Sequence, residues 1–176
     1  SSLEHSSFIR HSSFDIRHSH ATIWFERQSN QWTVIPPPSP SLKGPHRSGP
    51  FKDAFRNHVV FVYATHGTPD ENAWSLAKAR YDAETFWYRG NATLDVVADT
   101  DFDPSAEPDR NVLVYGSADT NAAGGPLRGS SPAQVRRGEV RIGARTIAGD
   151  GLASLFLRPR PGSDRASASP NSATAA

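Results

Sequence analysis

The sequence contains no cysteine, which excludes a disulfide framework, thiolate zinc sites, iron–sulfur clusters and a cysteine nucleophile, and leaves the redox compartment unmarked. Long apolar runs are lacking too: none approaches the ~20 residues that a membrane-spanning helix needs. Neither sign of charge is in excess. Nineteen Lys and Arg against eighteen Asp and Glu leave a net charge of +1, so neither nucleic acid nor an anionic membrane surface is expected as a partner. The first residues include no Met and none of the basic and apolar regions of a signal peptide, which predicts a fragment of a longer protein. Catalytic patterns are missing as well. No G-x-S-x-G nucleophile elbow, P-loop or dinucleotide fingerprint occurs, so no cofactor is expected. No histidine follows His66, so a triad in the chain order Ser, Asp, His cannot be completed after Asp119.

The 176 residues suffice for one core, and nine Phe, four Trp and four Tyr give that core material, while fourteen Pro and thirteen Gly imply much loop. At the start, His5-Ser6-Ser7-Phe8-Ile9-Arg10 recurs as His11-Ser12-Ser13-Phe14-Asp15-Ile16-Arg17. A unit of that length is too short to form a stacking repeat, so residues 1–20 read as a disordered low-complexity arm; the spacing of His5, His11 and His18 fits no metal-ligand pattern. Residues 21–50 read as a β-hairpin, with Trp24 and Trp32 as a cross-strand pair, followed by a Pro-rich linker from Pro36.

Residues 51–165 carry the fold. Val59-Val60-Phe61-Val62-Tyr63 is apolar and β-branched without alternation, the pattern of a strand buried on both faces of a parallel sheet. Thr68, Pro69, Asp70 and Glu71 then spell a helix start: N-cap, first helical position, acidic first turn and capping-box partner. Trp74, Ala77, Tyr81 and Tyr88 mark the buried stripe of that helix, which stops at Gly90. Strands at Leu94–Ala98 and Val112–Tyr115 follow, then a hairpin turning at Arg137-Gly138 and a last strand at Leu155–Arg158. The order strand, helix, strand predicts an α/β fold: a small parallel-sheet βαβ core, Rossmann-like or α/β-hydrolase-like, with added hairpins and disordered termini. Residues 166–176, rich in Ser and Ala, read as a disordered tail.

In open α/β sheets ligands bind beyond the carboxyl ends of the strands, which singles out two segments. His66, Gly67 and Thr68 follow the first core strand and lead into a helix N-terminus whose free N–H groups suit an anion, with His66 as the acid–base candidate. Gly116, Ser117 and Asp119 follow the third, where Asp119 is expected to cap the next turn. These six residues form the candidate site for a peptide or small-molecule ligand. The acidic loop from Asp99 to Arg110 alternates carboxylates but has Pro104 and Arg110 where a calcium loop needs Gly and Glu, so its charges read as solvated and no metal site is expected. Asn91-Ala92-Thr93 matches a glycosylation acceptor.

Several strings carry a family resemblance: Ile23-Trp24-Phe25-Glu26-Arg27, Ser48-Gly49-Pro50-Phe51-Lys52-Asp53-Ala54-Phe55, Tyr81-Asp82-Ala83-Glu84-Thr85-Phe86-Trp87-Tyr88-Arg89-Gly90-Asn91 and Arg158-Pro159-Arg160-Pro161-Gly162-Ser163-Asp164. In them the chain resembles a region of bacterial, planctomycete-like serine peptidases of the prolyl oligopeptidase family, which are α/β-hydrolases. The resemblance implies a piece of a larger hydrolase whose nucleophilic serine lies in a part not present here. It departs at Ala64 and His66, where a Gly-rich turn is expected, and at Ala122-Ala123-Gly124-Gly125, and it ends after Asp164. That pattern implies a truncated or frame-shifted copy, whose partner is the remainder of the hydrolase. No catalytic residue is carried over. The expected function is a non-catalytic α/β portion of such a hydrolase; the alternatives are a stand-alone binding module and a nonfunctional remnant.

Overall fold

A computed structural model describes residues 22–44, 51–129 and 131–173, so the repeat at residues 1–20 and the connection at 45–50 lie outside the described residues. The chain divides into two units, one ending at Ser39 and one starting at Pro40.

In the first unit β1 (Trp24–Gln28) and β2 (Gln31–Ile35) pair antiparallel across a two-residue turn. Ser29 and Asn30 both take positive φ, 45° and 73°, as a turn that follows the strands' right-handed twist requires. The two tryptophans do not pair: Trp24 faces Ile35 and Trp32 faces Arg27, because the turn centres on Ser29-Asn30 and so fixes the register. Ile23, Trp32 and Val34 stay exposed.

The second unit is α/β. Its strands are β3 (Val59–Tyr63), β4 (Asp95–Ala98), β5 (Asn111–Tyr115), β6 (Ala133–Arg136), β7 (Glu139–Ile142), β8 (Arg145–Ala148), β9 (Ala153–Leu155), β10 (Arg158–Pro159) and β11 (Ser167–Ala173). Helix α1 spans Pro69–Gly90 and α2 spans Gly124–Arg128. Four strands run parallel in the order β4-β3-β5-β11, and β9 and β10 both pair antiparallel with β11, making a mixed six-stranded sheet; β6, β7 and β8 form a separate antiparallel sheet. Continuous apolar strands bury both faces, as the sequence pattern requires. Val60, Val62, Val112 and Val114 pack with Ala123 and Leu127 on one face, and Phe61, Leu113 and Tyr115 pack with Ala54 and Ala79 on the other. Phe55 stacks on Phe86 at 4.0 Å between ring centroids, fixing the 3-10 turn Phe51–Phe55 against α1.

Two expectations fail here. Residues 167–173 are not a tail: β11 lies between β5 and the interrupted edge made by β9 and β10. Its Ser-Ala composition hides this, yet small side chains are what the position accepts, and Ala168 and Ser169 are buried. Pro170 has no N–H to give, and it falls at the break between the segments paired with β10 and β9. Nor does α1 bury its aromatic stripe. Ser75 and Ala79 face the sheet, whereas Trp74, Tyr81 and Tyr88 are exposed, since small residues let the helix approach the strands closely. Its end differs by one residue: Gly90 stays helical and Asn91 takes the left-handed cap at φ 49°.

Between β4 and β5 there is no helix. The nearly buried Arg160 fastens that loop by donating to the carbonyls of Glu107 at 2.7 Å, Arg110 at 2.5 Å and Pro104. The sequence singled out no role for this arginine.

Candidate functional site

Strand order reverses at β3: the chain leaves it for β4 on one side and returns past it to β5 on the other. Loops leaving the carboxyl ends diverge at such a point, which is where a ligand finds room. The fork between β3 and β5 is itself filled by two polar side chains. The Asn121 amide donates to the carbonyls of Val62 at 3.1 Å and Tyr115 at 2.9 Å, and Ser75 Oγ accepts from the Ala64 N–H at 2.8 Å and donates to the Tyr115 carbonyl at 3.3 Å. Buried backbone groups left over by the diverging strands are thereby satisfied.

Outside the fork sits His66, half exposed, beside Asp99. The Asp99 N–H donates to the Tyr63 carbonyl at 3.0 Å, which extends the β3–β4 ladder by one residue and brings the carboxylate against Thr65 and His66. Its side chain is fully buried. Oδ1 accepts from Thr65 Oγ1 at 2.5 Å, and Oδ2 accepts from His66 Nδ1 at 3.0 Å and from the Ala122 N–H at 2.7 Å. Burial pushes the Asp99 carboxyl up, but the hydrogen bonds from Thr65, Ala122 and His66 outweigh it and hold the group below the usual carboxylate range. An ionised carboxylate only accepts, so the proton in the His66–Asp99 bond belongs to Nδ1, which in the neutral ring leaves Nε2 as an acceptor. The His66 N–H donates to the Thr120 carbonyl at 3.0 Å, tying the β3 loop to the β5 loop.

Asp99 corrects the sequence reading, which placed it among solvated loop charges. The parallel register gives the reason: Tyr63 faces Ala98, so the residue after β4 must lie beside the loop after β3. That adjacency is the signal by which Asp99 could have been found.

At the start of α1, where the sequence suggests free N–H groups for an anion, three of those groups are already taken. Gly67 N–H donates to Asn72 Oδ1 at 2.9 Å, Thr68 N–H to Glu71 Oε2 at 2.7 Å and Glu71 N–H to Thr68 Oγ1 at 3.3 Å. Thr68 is the N-cap of a complete capping box. Gly67 is required by contact: a Cβ there would lie 2.8 Å from Glu71 Oε2. Glu71 in turn grips Arg137 with two bonds of 2.8 Å each, and that guanidinium, with the Thr68 N–H, lowers the Glu71 carboxyl to about 2.

The second expected segment is structural. Gly116 has φ +111°, and a Cβ on it would lie 2.6 Å from Thr120 Oγ1 and 3.0 Å from the Ala64 Cβ. Ser117 is buried, and its Oγ accepts from the Asp119 N–H at 3.2 Å. Asp119 caps the β6–β7 turn, not the turn that follows it: its carboxylate accepts from the Arg137 N–H at 2.8 Å and from Arg136 Nη1 at 3.2 Å.

Of the six expected residues, His66, Thr68 and Asp119 are exposed; Thr68 is engaged in the capping box and Asp119 in the β6–β7 turn, and His66 keeps a half-exposed ring that Asp99 orients. Among the described residues no serine hydroxyl hydrogen-bonds to His66, and no group of three His, Asp or Glu side chains converges to hold a metal ion. The carboxylates of the 99–110 loop part company: Asp99 turns to His66, while Asp103 bonds Ser105. Other concavities lie among the described residues. One of about 580 Å³ lies along the exposed aromatics Tyr81, Trp87 and Tyr88, and one of about 190 Å³ lies under the 99–110 loop beside Val60 and Phe102. Compared with models of known families, with curated proteins and with solved structures, the chain matches none.

Proposed function

We propose that this chain is a ligand-binding α/β domain without a nucleophile of its own, with its site at the carboxyl ends of β3, β4 and β5. The single observation that carries this reading is the His66–Asp99 pair: a buried carboxylate, itself held by Thr65 Oγ1 and the Ala122 N–H, orients one half-exposed imidazole. Orienting a surface histidine does little for stability, and it lies where the strand order reverses. The parallel order β4-β3-β5-β11 supports reading the domain as a reduced member of the Rossmann-like or hydrolase-like class, one that lacks a helix between β4 and β5. A two-dimensional NMR screen of the full chain against a mixed library of small molecules and short peptides tests this. Amide shifts clustering at Thr65, His66, Asp99 and Thr120 are expected. Binding confined to other residues would overturn the assignment.

A second reading is that the domain is one portion of a larger peptidase-like hydrolase and packs on its remainder. Exposed apolar surface favours it. Trp74, Tyr81, Trp87 and Tyr88 are exposed on α1, and in the first unit Ile23, Trp32 and Val34 of the hairpin are exposed.

A further inference from the structure

The state of His66 and the charges around it select a ligand chemistry, and this step rests on the binding site proposed above. Asp99 accepts three hydrogen bonds, from Thr65 Oγ1, His66 Nδ1 and the Ala122 N–H, which only a carboxylate can do with both oxygens. In its neutral form His66 therefore offers a lone pair on Nε2 and has no donor left for a ligand. The segments leaving the three strands, residues 64–72, 99–103 and 116–123, carry Asp70, Glu71, Asp99, Asp101, Asp103 and Asp119 and no lysine or arginine. Cations reach this end from the β6–β7 turn, and there Arg137 is held by Glu71 and Arg136 by Asp119. Backbone donors at Gly67 and Thr68 are likewise occupied. An anion would meet a surplus of carboxylates and occupied donors at Gly67, Thr68 and Glu71, whereas a donor with positive charge meets the His66 acceptor in a negative surround.

We propose that His66 Nε2 accepts a hydrogen bond from an ammonium group, so that the site recognises cationic amines such as the amino group of a peptide or an amino alcohol.

The test uses the full chain labelled with ¹⁵N, and ethylammonium and phosphate as probes at matched ionic strength and at a pH where the ring is neutral. Ethylammonium should move the His66 Nε2 resonance and the amides of Thr65 and Gly67 saturably, with a Kd on the order of millimolar, the range open to a ligand of three heavy atoms. Phosphate should leave them in place, and His66→Gln, checked for an unchanged melt, should abolish the ethylammonium shifts. Shifts with phosphate, shifts that persist in H66Q, or no shift with either probe would overturn the proposal. Library hits of other chemistry on the same residues would overturn the amine preference while leaving the binding site standing, and library hits only elsewhere would remove both.

Discussion

Removing the Asp99 carboxylate should be costly at the strand ends. In Asp99→Ala the Ala122 N–H, the Thr65 hydroxyl and His66 Nδ1 lose the acceptor that now lies 2.7, 2.5 and 3.0 Å away. A hydrogen bond to a charged group contributes about 1.5–3 kcal/mol, and water can replace part of it at the half-exposed His66, so a total loss of about 2–4 kcal/mol is expected. For a domain of this size that corresponds to a fall of about 6–20 °C in Tm, read by circular dichroism. Asp99→Asn keeps the shape and one acceptor, so about 1–2 kcal/mol is expected there. The pH dependence has a definite sign. Because the folded Asp99 carboxyl lies below its unfolded value, its stabilisation is fully present above the unfolded value of about 3.9 and is lost as pH falls through the folded one. D99N should therefore lose less stability than the parent chain on acidification below pH ~4. If D99A melts within about 1 °C of the parent, the reasoning is refuted, because three donors that lose a buried acceptor cannot all be indifferent.

Thr68→Ala removes the N-cap of α1 and should cost about 1 kcal/mol by chemical denaturation. Glu71→Gln weakens both the capping box and the grip on Arg137; since the Glu71 carboxyl lies at about 2, its contribution should fade as pH falls from its unfolded value toward 2, a fade that the variant lacks in a pH series of melts. Gly116→Ala forces a Cβ into Thr120 Oγ1 at φ +111° and should cost about 2 kcal/mol or more, whereas Gly138→Ala, with open space around it, should cost only the strain of its φ of +70°, about 1–2 kcal/mol. Deleting residues 167–176 removes the strand beside β5 and should abolish the cooperative melt; a truncated chain that melts like the parent would show that β11 is dispensable.

Legibility in the sequence followed the physics of each signal. Unbroken β-branched runs such as Val59–Tyr63 are read locally, as is the cap grammar of Thr68 to Glu71, because both depend on neighbours within a few residues. Asp99 was opaque, since its burial arises from parallel pairing with a strand more than thirty residues away. Residues 167–173 were opaque for another reason: their Ser and Ala composition lacks the hydrophobicity that marks a strand, and the pairing partners on both sides supply what composition does not. The stripe on α1 misled because aromatic periodicity reports an apolar face without saying what covers it, and here Ser75 and Ala79 take the inner face. His66 was found for its position after a strand, and its orientation came only with Asp99.

The most direct test of the central claim is the tautomer of His66, read from a long-range ¹H–¹⁵N spectrum of the histidine-labelled chain at a pH where the ring is neutral. The buried Asp99 requires the proton on Nδ1 and a bare Nε2, with that preference weakened in D99N. A ring protonated on Nε2, or one tautomer pattern shared by parent and D99N, would contradict a site built around a histidine that Asp99 holds in place.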